Sequence, residues 1–353
     1  MDSCGKAERL PVGWRKRIGT QQSSRTDLSS RRTAAWVNLV AKMLVATEIA
    51  ESFRPDRRAV LYPGACLDFL KTIQRETIQL VVTSPPYNIG KEYEKRVNLE
   101  QYVAAQQQVI QECVRVLKPE GSICWQVGNH VDNGAIVPLD AVLFPVFQKF
   151  GLQCRNRIIW HFEHGLHCSR RLSGRHETVL WFTKTDTYTF HLDTVRVPQK
   201  YPGKKYFKGP RAGQYSCNPL GKNPGDVWII PNVKSNHVEK TEHPCQFPVE
   251  LIERLVLPLT NAGDWVLDPF AGSGTTIVAA LRHDRRGAGA ETLDKYRQIA
   301  RDRIQRAMEG TLPVRPMDRQ VFDPRDAGSA LTTRPWGRVK AEETPLLIME
   351  KTR

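Results

Sequence analysis

The sequence has little that would carry a chain into a membrane. No apolar run in its 353 residues approaches the roughly 18–20 residues that a spanning helix needs. The basic N-terminus lacks the apolar core of a secretory signal. Cysteine is sparse. Eight are scattered with no CxxC pair, which argues against a disulfide framework and for reduced thiols in a cytoplasmic protein. Acidic residues are in the minority, 37 against 52 Lys and Arg. Such an excess favours a polyanionic partner and says nothing about fold. Internal repeats are absent too.

Short β-branched runs alternate with longer stretches of helical spacing. Ile78 to Thr83, Ser122 to Val127, Arg155 to Trp160, Thr178 to Thr183, Trp265 to Leu267 and Gly287 to Ala290 read as strands. A further short strand and turn, Leu61 to Leu70, enters a helix. Helices are expected over 34–51, 99–117, 137–150, 248–257, 275–281 and 294–308. Alternation of this kind predicts an α/β fold, a mostly parallel sheet covered on both faces. Between 186 and 240 the rhythm breaks, and Pro, Gly, Lys, Tyr and Asn dominate. The expected organisation is a basic N-terminal extension with a helix (1–55), a first half-domain (56–185), the irregular insertion (186–240), a second half-domain (241–310) and a loosely ordered, Pro- and Arg-rich tail (311–353).

Two motifs follow predicted strands, and ligands of such sheets lie beyond the carboxyl ends of the strands. Thr83-Ser84-Pro85-Pro86-Tyr87 comes first. Ser84 Oγ and the Pro85 carbonyl are acceptors that can draw on the N–H groups of an aromatic amine and free its lone pair. Pro85 and Pro86 stiffen the turn and remove competing donors, and Tyr87 offers a flat face for a base. Asp268-Pro269-Phe270-Ala271-Gly272-Ser273-Gly274-Thr275-Thr276 comes later. Gly272 and Gly274 permit positive φ and close approach of a ligand to the backbone. Glu291, seventeen residues past Gly274 at the end of the next strand, can accept hydrogen bonds from ribose hydroxyls.

These motifs, in this order, resemble the β group of amino-methylating DNA methyltransferases. The resemblance covers residues 60–308. It implies a Rossmann-like methyltransferase fold with S-adenosyl-L-methionine as cofactor and double-stranded DNA as substrate. His243-Pro-Cys-Gln-Phe-Pro248 resembles the HPxQxP segment of that family, which places Gln246 and Pro248 beside the methionine part of the cofactor. Asp268, Phe270, Gly272, Gly274, Thr275 and Glu291 complete the implied cofactor set. A Gly-Asp pair common in the family reads Gly64-Ala65 here, and Asp68 is the nearest replacement. Ser rather than Asp before Pro-Pro-Tyr resembles the N4-cytosine subset, with N6-adenine methylation as the alternative and a non-catalytic DNA-binding module as the second. The family also implies action as a monomer or weak dimer, beside a separately acting cognate restriction endonuclease.

Pro244-Cys245 mimics the nucleophile motif of cytosine-C5 enzymes, but it precedes the glycine turn instead of following it, and no Glu-Asn-Val segment is present. His161, His164, His167 and Cys168 match no common zinc spacing, so no metal site is assigned. Arg170, Arg171 and Arg175 put positive charge beside them, suited to phosphates. In the β arrangement the insertion at 186–240 is the target-recognition region. Its Lys204, Lys205, Lys208 and Arg211, interleaved with Tyr201, Tyr206 and Phe207, are the expected DNA contacts.

Overall fold

A computed structural model describes residues 48–321 apart from 166, 235 and 318. The basic leader, the expected helix up to residue 47 and most of the tail lie outside the described residues. The strands in chain order are β1 (Ile49–Ala50), β2 (Ala59–Pro63), β3 (Ile78–Thr83), β4 (Leu117–Val127), β5 (Asn129–Asp132), β6 (Ala135–Pro138), β7 (Gln153–His161), β8 (His176–Thr183), β9 (Val227–Ile229), β10 (Trp265–Asp268) and β11 (Arg286–Glu291). Nine form one sheet in the order β1-β2-β11-β10-β3-β4-β8-β7-β9, while β5 and β6 pair as a separate hairpin. The run from β1 to β4 is parallel, and β8 is antiparallel to both its neighbours.

The central strands are short, apolar and buried on both faces, as expected of a sheet covered by helices. All six residues of β3 are buried. Alternation divides them between two cores: Leu80 and Val82 join one, Val81 the other, just as Val266 and Leu267 divide in β10. The helix Leu99–Val116 starts where the Asn98 side chain accepts from the Gln101 N–H at 2.8 Å. It buries Tyr102, Gln106, Val109, Ile110, Cys113 and Val116 along one stripe. In β11 a Cβ on Gly287 would come within 2.7 Å of Ile277, and one on Gly289 within 2.8 Å of Ala271. Those small residues let the helix Thr275–Arg282 lie close against the sheet.

Three expectations are corrected. Ile49–Ala50, placed at the end of a helix, are a strand paired with Ala59–Val60. The 186–240 insertion is not wholly irregular, because Val227–Ile229 joins the sheet edge parallel to β7. Trp228 is buried there, and Trp160 Nε1 donates to the Ile230 carbonyl at 2.8 Å. A three-residue strand within the five residues between Gly225 and Pro231 is too short a run to show periodicity. The first residues of the tail are anchored rather than loose: Leu312 and Val314 pack on the core, and buried Arg315 pairs with Glu250. Among the described residues no helix is long and apolar enough to cross a membrane.

Asp268 joins the two halves of the sheet edge. It is fully buried at the end of β10 and accepts from Thr83 Oγ1 at the end of β3 (2.6 Å), Thr276 Oγ1 (2.7 Å) and the Phe270 N–H (3.0 Å). Burial raises its pKa to about 6, an effect these three donors limit. Asp268→Ala strands the buried Thr83 hydroxyl and the Phe270 N–H and leaves Thr276 Oγ1 only the long bond to the Val82 carbonyl (3.4 Å), so we expect a loss of about 3 kcal/mol. Thermal and urea unfolding of the purified variant checks this; a melting temperature within one degree of the parent refutes it.

Candidate active site

β3 and β10 are adjacent parallel strands, with Leu80 beside Val266 and Val81 beside Leu267. The turns that leave their carboxyl ends therefore face each other across one cavity of about 270 Å³. Ser84, Pro85, Pro86 and Tyr87 line one side, and Pro269, Phe270 and Gly272 another. Ala290, Glu291 and Thr292 at the end of β11 and Gly64 to Cys66 after β2 add further walls. Tyr93, His243, Cys245 and Tyr296 close it.

Glu291 accepts from the Gly272 N–H (3.0 Å) and the Leu293 N–H (2.8 Å), one to each carboxylate oxygen. Burial raises its pKa, and these backbone donors oppose the shift. Its orientation is thus fixed by the turn it faces, with lone pairs left for a ligand. Gly272 has φ +50°, and a Cβ there would sit 3.0 Å from the His243 ring. The His243 ring stacks on Tyr93 at 5.8 Å and meets Tyr296 edge-on at 4.4 Å. A carboxylate suited to paired hydroxyls, a bare glycine turn and several aromatic faces fit a nucleoside carrying a sulfonium.

Five residues expected at the cofactor do not line this cavity. Asp268 is the buried tie described above. Gly274, at φ +75°, begins the helix Thr275–Arg282, and a Cβ on it would lie 3.1 Å from Ala300. Thr275 Oγ1 accepts from buried Arg303 at 2.8 Å. Both thus seat the glycine turn on the helix Asp294–Met308. Gln246 braces its own loop, accepting from Thr241 Oγ1 (2.8 Å) and donating to the Glu239 carbonyl (2.7 Å). Pro248 starts the helix Val249–Leu259. Asp68 does not line the cavity either; it pairs with Lys71 on an exposed helix face.

A second chamber of about 150 Å³ opens beside the first and shares Ser84, Tyr87 and Cys245 with it. Trp160, Phe162, Gln126, Glu177, Asn232, Lys234 and Gln246 contribute to its walls. Ser84 Oγ lies 3.0 Å from the Tyr87 hydroxyl. That hydroxyl reaches Gln126 Oε1 at 2.8 Å and Glu177 Oε2 at 3.2 Å, and Gln126 Nε2 donates to Glu177 Oε2. Burial holds the Tyr87 phenol protonated, far above its usual range. Its one proton serves Gln126 or Glu177, so its oxygen accepts from Ser84, leaving the Ser84 lone pairs free.

Glu177, Gln126, Tyr93 and Tyr296 were not singled out from the sequence, and His243 was named only as the start of the HPxQxP-like segment. Gln126 and Glu177 did leave a trace, as polar residues at the mouths of otherwise apolar strands.

Arg170, Arg171 and Arg175 lie on the loop 162–175, whose flanks, Phe162 and Glu177, both line the second chamber. Arg170 and Arg171 are exposed, and Arg175 Nη1 donates to the Gly174 carbonyl at 2.8 Å. Lys204, Lys205, Lys208 and Arg211 are all exposed on an excursion tied by Lys205 opposite Tyr215. Lys205, Lys208 and Arg211 lie over the rings of Tyr215, Phe207 and Tyr206.

Residues 78–302 match the family described as N6/N4 DNA methylase. The chain belongs to that family. S-adenosyl-L-methionine is its cofactor, and DNA is its substrate. The methylase is 51% identical to the type II methyltransferase M.BglII of Bacillus subtilis over 253 residues, 71% of this chain and 70% of that one. It is 37% identical to the type II methyltransferase M.ScaI of Streptomyces caespitosus over 70% of this chain and 81% of that one. Its fold also matches a DNA modification methylase from Thermus thermophilus solved with S-adenosyl-L-methionine, at TM-score 0.51 and 30% identity, covering 71% of this chain and 96% of that one.

His243 carries a pH dependence. Burial first, then the charges of Lys240 and Arg303, lower its pKa from 6.5 to about 4. The unfolded methylase therefore takes up this proton first on acidification. The stability tied to His243 is full above about pH 6.5 and is lost progressively down to about pH 4. His243→Phe keeps a ring between Tyr93 and Tyr296 but not the proton site. Thermal melts across that window should show a shallower fall for the variant; parallel curves contradict the assignment.

Proposed function

We propose that the methylase is a site-specific type II enzyme of a restriction–modification system, methylating the N4 amine of cytosine in a short duplex sequence. The observation that carries this reading is the position of Ser84, at the junction of the cofactor cavity and a chamber of about 150 Å³. A space of that order encloses a single benzene ring in other proteins, so it suits the one ring of a pyrimidine better than the two of a purine. M.BglII and M.ScaI, both named type II methyltransferases, support the setting. Methylation of the N6 amine of adenine is the second reading, favoured by 31% identity to the DNA adenine methyltransferase YhdJ of Escherichia coli over 68% of this chain.

The cofactor supplies an electrophilic methyl group on sulfur. On the protein side, Phe270, Gly272 and Glu291 receive the nucleoside part, Glu291 accepting from the ribose hydroxyls. The cytosine leaves its stack and enters the chamber between Trp160, Phe162 and Tyr87. Ser84 Oγ and the Pro85 carbonyl accept the two amine N–H groups and draw the nitrogen toward sp³ geometry. The lone pair so freed would take the methyl group from the bound cofactor, whose sulfur would keep the C–S bonding pair and leave as a neutral thioether, and the surplus amine proton would pass to bulk water. Holding the reacting atoms in line accounts for most of the acceleration. The exposed excursion around Lys204, Lys205, Lys208 and Arg211, with the loop of Arg170, Arg171 and Arg175, takes the phosphates. The insertion 186–240 supplies target recognition.

Digestion of methylated plasmid to nucleosides, with mass spectrometry, tests the reading. N4-methylcytosine is expected. N6-methyladenine replaces it with the second reading, and 5-methylcytosine would move the chemistry to Cys245. Glu291→Ala should weaken S-adenosyl-L-methionine binding about 10- to 100-fold, the loss of charged hydrogen bonds. Calorimetric titration measures it, and an unchanged affinity removes Glu291 from the cofactor site.

A further inference from the structure

One group at the site has no part in the steps above. Glu177 is half-buried in the wall of the one-ring chamber. No Lys, Arg or His nitrogen lies within ion-pair distance of it among the described residues. Its two oxygens are unlike. Oε2 is held as an acceptor by Gln126 Nε2, with the Tyr87 hydroxyl at 3.2 Å. Oε1 lies over Gly128, where a Cβ would come within 3.2 Å of it and within 3.0 Å of the Tyr87 ring. The missing side chain at 128 leaves room above both groups. Because Oε2 is engaged by donors, a proton on this carboxyl belongs on Oε1. Burial favours that protonated form by raising the pKa of Glu177; the bonds from Gln126 and Tyr87 and the charge of Lys234 limit the rise. Tyr93 and Cys245, the other ionisable groups at this end of the cavities, have no cationic form, so neither adds a positive charge.

The Tyr87 hydroxyl lies within 3.2 Å of both Ser84 Oγ and Glu177 Oε2. An acceptor for the amine and a carboxyl donor are therefore placed side by side. An amine next to a ring nitrogen presents the complementary pair: N–H donors, then an acceptor lone pair.

We infer that Glu177 is a positioning residue that donates from Oε1 to the ring nitrogen adjacent to the target amine, N3 of cytosine. The bond turns the base within its plane so that the amine meets Ser84 and Pro85. It uses Tyr87 and Gln126 as fixed braces and transfers no proton. The inference rests on the amine-methylating reading, but adenine N1 stands beside its amine in the same way. Identification of the product and the test below therefore fail independently.

The test is a cycle between Glu177 and its partner atom. Single-turnover methylation is measured for the wild type, Glu177→Gln and Glu177→Ala, on duplex carrying the normal target cytosine or 3-deazacytosine, in which N3 is replaced by C–H; if the product is N6-methyladenine, adenine and 1-deazaadenine take their place. Calorimetric titration of S-adenosyl-L-methionine confirms that each variant keeps its cofactor site. On normal DNA, Glu177→Ala should lose about tenfold in rate, the size of one neutral hydrogen bond, and Glu177→Gln, whose amide can donate to N3, should stay within about threefold of wild type. On the 3-deaza target the three proteins should converge, because the partner is gone. An equal loss for Glu177→Ala on both targets overturns the inference, as does a Glu177→Gln variant that binds cofactor normally but is as slow as Glu177→Ala.

Discussion

A buried carboxylate holds the active site together. Asp268 takes donors from the end of one strand, from the turn that follows its own strand and from the first helical turn beyond it. The catalytic turn and the glycine turn are far apart in the chain but leave neighbouring parallel strands. Register alone would set those strands side by side. Three hydrogen bonds to one carboxylate also fix the turns beyond them. An unpaired charge at that depth would be strongly unfavourable; burial raises the pKa of Asp268 to about 6, and its three donors offset only part of that rise. In this structure Asp268 ties the two turns together and does not itself line the cavity between them.

The site is acidic at its centre within a basic protein. Glu291 and Glu177 stand at the two cavities, each fixed by donors from the protein and each raised in pKa by burial. The Lys and Arg side chains assigned to DNA stay outside, on the 162–175 loop and the Lys204 excursion. This division suits a reaction that draws a polyanion to the surface but needs no cation beside the amine. The aromatic residues Tyr93, His243 and Tyr296 reinforce it, packing their rings together at the wall of the first cavity without adding a cation.

Much of the fold was legible in the chain. Ile78–Thr83 and Asp294–Met308 match their expected bounds, because a short run rich in β-branched residues and a strong helical stripe leave no rival reading. The failures share a cause. Val227–Ile229 is too short to carry a period, and it is a strand only because β7 offers an unpaired edge. Ile49–Ala50 followed a helical pattern locally but pairs with β2. Arg315 lies in a stretch with the composition of a loose tail, yet Glu250 and Glu239 hold it, and neither is near it in sequence.

The sequence by itself determined which chemistry was available. Ser84-Pro85-Pro86-Tyr87, the Phe270 to Thr276 turn and Glu291 are local words, each short enough for spacing and residue type to define, and their order identified the family. Tertiary structure decided what each residue does. It withdrew Asp268, Gly274 and Thr275 from the cavity into its support, and turned Gln246 and Pro248 to bracing and starting a helix. It also brought Gln126 and Glu177, from two antiparallel strands, onto the Tyr87 hydroxyl. Strand pairing joins residues at any separation along the chain, and a lone polar residue in an apolar strand does not reveal its partner until the sheet is formed.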